Sequence, residues 1–70
     1  MYTLIDTFNN VLISAHRTLE AAVKAEARHD RRVKRFNGVN SYIPTAILCD
    51  GQPVDADDVV RERYRNGVWR

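Results

Sequence analysis

Apolar and polar positions alternate with a period of two at the start of the chain. Tyr2, Leu4 and Asp6 interleave with Thr3, Ile5 and Thr7, and beyond Asn9-Asn10 the residues Val11, Ile13 and Ala15 interleave with Leu12 and Ser14. A period of two belongs to a β-strand. Asn tolerates the positive φ of a tight turn, so the pattern predicts a hairpin over residues 2–15. A two-residue or a four-residue loop puts Tyr2, Leu4, Val11, Ile13 and Ala15 on one face, the expected core side. A three-residue loop would mix the faces.

The period then changes. At 100° per residue, Leu19, Ala22, Ala25, His29, Val33 and Phe36 share one broad face, which predicts a helix over residues 18–36. Thr18 is suited to cap its start, Glu20 complements the positive end of the helix dipole, and Asn37-Gly38 supplies a stop. Ala21, Ala22 and Ala25 let such a helix lie close to a sheet. Residues 42–49 read as a third strand, with Pro44 suited to a sheet edge or a strand start, and Asp50-Gly51 marks a turn. The last segment allows two readings. Asp55 can cap a short helix running through Val59–Tyr64 to Gly67, with Asp57 and Asp58 in its first turn, or Val59–Arg65 can form a strand; the helix is favoured. The expected fold is a small α+β single domain, residues 1–70, of β-β-α-β order. A three-stranded antiparallel sheet is covered on one face by one long helix, and residues 52–70 form a C-terminal extension, a short helix or strand.

Composition narrows the class. Seventy residues support one domain that buries only about 60% of its unfolded surface, too little for a deep catalytic cleft. A single cysteine, Cys49, allows no internal disulfide, and no apolar run reaches the ~20 residues of a membrane span. With no basic, cleavable leader at the N-terminus, the expectation is a cytoplasmic protein that does not enter a membrane.

The net charge is only +2, but it is unevenly placed. Residues 17–35 hold seven Lys or Arg, residues 36–60 hold none and carry four Asp, and residues 61–70 hold four Arg. Within the predicted helix, Lys24, Arg28, Arg31 and Arg35 lie opposite the apolar face and cover ~16 Å of axis, flanked by Arg32 and Lys34. Guanidinium forks match phosphate, and cations in a row displace the counterions of a polyanion. Only Glu20 offers this row an i,i+4 acid. Lys24, Arg28, Arg31, Arg32 and Arg35 are therefore the candidate contacts to DNA or RNA, chiefly to phosphates. The row has no Asn or Gln beside the arginines for base readout. The competing explanations are an acidic protein partner and a solvated helix face.

A second group, Arg61, Arg63, Arg65 and Trp69, with Tyr64 among them, is a candidate interface, because interleaved Arg and aromatics suit stacking and protein contacts. The plainer expectation for Tyr64 is that it closes the small core, and Trp69 is balanced between the two roles. Asp50, Asp55, Asp57 and Asp58 lack the central Gly and closing Glu of a calcium loop, and helix capping accounts for three of them. No catalytic set, metal site or cofactor motif emerges. His29 falls on the apolar side, Cys49 sits in a strand pattern, and the three glycines are scattered among turns. The expectation is a protein that is not an enzyme.

In size and layout the chain resembles small phage- or plasmid-encoded accessory proteins, including CRISPR inhibitors of β-β-α-β design. That resemblance rests on the hairpin, the Thr18-Leu19-Glu20-Ala21-Ala22 helix start and the returning strand, and it carries no residue across. It implies a protein-binding inhibitor or adaptor that docks on a larger, nucleic-acid-handling complex. A homodimer is a further expectation, because three strands leave open edges and the Thr3, Ile5, Leu12 and Ser14 face is partly apolar.

Overall fold

The computed structural model describes residues 1–67. Its elements run β1 (Tyr2–Asp6), β2 (Val11–His16), α1 (Leu19–Asn37), β3 (Thr45–Cys49), β4 (Gln52–Pro53) and α2 (Ala56–Arg65). The sheet is antiparallel with strand order β2-β1-β3-β4. This is the expected α+β domain with one strand more than the sequence pattern predicted. Asp50 (φ 50) and Gly51 (φ 85) both take positive φ between the paired residues Cys49 and Gln52. A two-residue Asp-Gly loop of that kind folds the chain back into a hairpin, and the returning Gln52–Pro53 is β4. The third strand is also shorter than expected. Tyr42, Ile43 and Pro44 precede it, and the Pro44 carbonyl accepts from the Thr7 N–H and hydroxyl.

The β1–β2 loop has four residues, and Asn10 takes the positive φ that its side chain tolerates. Asp6 closes this turn by accepting from the Phe8 and Asn9 N–H groups and from the Asn9 amide. The expected facing fails farther along β2. Leu4 pairs with Ser14 but Ile5 pairs with Leu12, so Ile13 is an extra residue in a β-bulge. Beyond that bulge Ser14 and His16 turn toward the helix and Ala15 turns away, the reverse of the alternation read from the sequence. Val11 is also exposed rather than part of the core.

Thr18 caps α1 as expected, its hydroxyl accepting from the Ala21 N–H at 3.1 Å. Gly38 ends it at φ 106 with its N–H on the Lys34 carbonyl. The core lies between α1 and the sheet: Leu4, Ala22, Val23, Ala25 and Ile47 are buried, and Tyr2, Ile13, Leu19, Val54 and Val59 pack around them. The alanines keep the helix close to the strands. The C-terminal segment is helical. Asp55 caps α2 through the Asp57 N–H, and α2 lies against α1. Val54 and Val59 close the core, whereas Tyr64 stays 70% exposed. Phe36 also departs from expectation, at 76% exposed. A helix of this length runs ~28 Å, against ~17 Å for a five-residue strand, so the last turns of α1 project past the sheet.

Thr3, Ile5, Leu12, Ala15, Ala46 and Leu48 occupy the opposite sheet face, which carries no helix among the described residues. No helix among those residues is long and apolar enough to cross a membrane.

Two stability measurements check this core. Leu4 is fully buried, so Leu4→Ala is expected to cost about 2–4 kcal/mol and to lower the melting temperature by more than about 10 °C. The Asn9 N–H and amide, followed by the Phe8 N–H and the nearby His29, hold the Asp6 carboxyl below the usual carboxylate range. A depressed folded pKa contributes stability that is complete above the unfolded value, about 3.9, and is lost as pH falls through the folded value. Urea unfolding between neutral and strongly acid pH is therefore expected to show a shallower acid decline in Asp6→Asn than in the unaltered chain.

Candidate nucleic-acid interface

Two of the flanks of α1 are used by the fold. Ala22, Val23 and Ala25 pack in the core against the sheet, Glu26 is buried against α2 and β3, and Ala27, Asp30 and Val33 are buried as well. The remaining sector carries the cations. Arg28, Arg31, Arg32 and Arg35 are exposed, and together with Phe36 they line one open hollow. None of the four makes an ion pair with a carboxylate among the described residues. Lys24 is different: its ammonium lies 3.2 Å from Glu20, an exposed i,i+4 pair of the kind worth a few tenths of a kcal/mol. Lys34 lies apart, paired with the buried Asp30 at 3.0 Å. Four of the five helix cations predicted from the sequence thus converge without a paired carboxylate among the described residues, and the fifth is paired with Glu20.

A second hollow adjoins the first, between β2 and α1. It is lined by Ser14 and His16 from the strand and by Arg28, His29 and Arg32 from the helix, with Ile13 and Ala25 at its apolar side. Arg28 and Arg32 border both hollows. His16 Nε2 lies 2.7 Å from Ser14 Oγ. His29 Nε2 is buried and has no hydrogen-bond partner among the described residues. The sequence reading missed Ser14, because the bulge at Ile13 brings it to the helix side. The detectable signal was the i,i+2 spacing of Ser14 and His16, which places both on whichever face one of them takes. Cys49 is not near enough to pair with His16: both flank Tyr2 from opposite strands, about 10 Å apart.

The C-terminal group is dispersed. The Arg63 guanidinium turns inward and donates through Nε and Nη2 to Glu26 Oε1, while Thr45 Oγ1 donates to Glu26 Oε2. Arg63 therefore ties α2 to α1 and β3 and is not presented to a partner. Arg61 and Arg65 remain on the surface, each within its own helix pair, to Asp58 at 3.3 Å and Glu62 at 3.1 Å. Trp69 lies outside the described residues. The acidic cluster is also divided. Asp55 caps α2, Asp57 and Asp58 sit in its first turn, and Asp50 meets the N-terminal ammonium at 2.8 Å.

The Glu26–Arg63 pair gives a direct test of what joins the two helices. Glu26→Ala leaves a guanidinium that is three-quarters buried without its acceptor and is expected to cost about 2–3 kcal/mol, because Arg63 keeps some water. Removing both charges, as Glu26→Leu with Arg63→Leu, is expected to recover most of that loss in thermal denaturation. Compared with family models, with curated proteins and with solved structures, the chain matches none.

Proposed function

We propose that this chain is a small non-enzymatic binding module that lays the exposed sector of α1 on nucleic acid. The supporting observation is the cluster of four guanidinium groups, Arg28, Arg31, Arg32 and Arg35, around one hollow, none paired with a carboxylate among the described residues. Cations held close without carboxylates repel one another, and a polyanion relieves that repulsion while releasing its own counterions. Lys24, half engaged by Glu20, extends the row toward the start of the helix. Contacts go mainly to phosphates, so affinity depends strongly on salt and weakly on base sequence.

A second reading is docking on an acidic or nucleic-acid-handling protein complex, as an inhibitor or adaptor of a phage or mobile element would. Its support is Phe36, whose ring stands 76% exposed among the arginines. Arg and large aromatics are the side chains that anchor protein interfaces.

Titration of labelled single-stranded and duplex DNA and RNA at two salt concentrations separates the two. Binding is expected at low salt and is expected to weaken by at least about tenfold on a several-fold rise in salt. The double reversal Arg28→Glu with Arg31→Glu is expected to abolish it with little change in melting temperature, since both side chains are exposed. No binding at low salt overturns the nucleic-acid reading and leaves an acidic protein as the partner to seek by affinity capture.

A further inference from the structure

We propose that the hollow between β2 and α1 seats one phosphate group of a single-stranded nucleic acid, held by Ser14, His16, Arg28 and Arg32. This rests on the nucleic-acid reading above and adds the point at which the chain is gripped. The hollow has a volume of about 170 Å³, the space of roughly six water molecules, which suits a tetrahedral anion. Its polar lining comes from two elements facing each other, so donors reach an anion from both sides. Arg28 and Arg32 supply guanidinium forks that no carboxylate among the described residues occupies.

The Ser14–His16 pair supplies a third donor. When His16 Nε2 carries the ring proton it donates to Ser14 Oγ, and the serine hydrogen is then free to donate outward. His29 lines the same hollow, but its Nε2 is sealed from solvent and supplies no donor there. Because Arg28 and Arg32 also border the neighbouring hollow, a strand leaving the phosphate seat passes directly to Arg31, Arg35 and the exposed ring of Phe36, on which an unpaired base can stack. A duplex holds its bases away from such a ring, and for that reason the proposal commits to a single strand.

The test is a pair of ¹H–¹⁵N NMR titrations at low salt, one with inorganic phosphate and one with an oligo-dT of about eight nucleotides, within the range of single-strand sites. Both ligands are expected to shift the resonances of Ser14, His16 and His29. Ser14→Ala is expected to weaken the oligonucleotide about tenfold, as loss of a hydrogen bond to a charged group does. Ser14→Asp is expected to abolish the phosphate shifts, and His16→Gln, which keeps a donor, to retain most of the affinity. Spectral dispersion shows in each case that the variant is folded. If the oligonucleotide binds the unaltered chain and both Ser14 variants equally, and the three residues do not shift, the phosphate seat is overturned while the nucleic-acid reading stands. If phosphate shifts the three residues but the oligonucleotide does not bind, the nucleic-acid reading is overturned and the seat serves a free phosphate. No response to either ligand overturns both.

Discussion

The structure depends on one packing constraint. α1 lies against the sheet through small side chains, Ala22 and Ala25, which let it approach Leu4 and Ile47 closely, and α2 closes over the adjoining flank. A helix buried along two flanks has a single sector left for long charged side chains. Lys24, Arg28, Arg31 and Arg35, spaced three or four residues apart, must then share that sector with Arg32, and acids within reach on the same helix are few. Glu20 serves Lys24, Asp30 serves Lys34, and Glu26 is drawn into the interface with α2. The gathering of Arg28, Arg31, Arg32 and Arg35 without a paired carboxylate among the described residues is thus a consequence of where the apolar surface had to go.

A bulge of one residue couples the sheet to that field. Without it, the alternation of β2 would send Ser14 and His16 to the bare face of the sheet. With Ile13 inserted, both turn beneath α1 and meet His29 and two of the arginines. Bulges commonly re-aim side chains near functional sites, and this one converts a half-polar edge strand into one wall of a polar hollow.

The Glu26–Arg63 pair illustrates the other use to which charge is put. Glu26 is almost fully buried, and its two oxygens are satisfied by Arg63 and Thr45, from α2 and β3. Such a pair fixes how the elements sit together more than it raises the net stability, since desolvation offsets much of the attraction. In a chain of 70 residues with a small core, this link complements the apolar contacts of Val54 and Val59 in holding the C-terminal helix down.

The sequence by itself determined whatever depends on neighbours along the chain. The hairpin, the capped helix from Thr18 to Gly38, the Asp55 cap and the angular row of cations all follow from local periodicity, capping chemistry and turn residues, which act over a few positions. Even β4 was legible in principle, since Asp50-Gly51 is a strong hairpin turn. What the tertiary structure alone decided is which partner each side chain meets. Arg63 and Arg61 look alike in the sequence, yet one turns inward, three-quarters buried, to Glu26 and the other is exposed. Phe36 follows the apolar face of its helix, yet it stands clear because the helix is longer than the sheet beneath it. Ser14 and His16 changed faces through a single extra residue. Each of these outcomes depends on the relative length, register and docking of separate elements, and none of those quantities is encoded within a short stretch of chain.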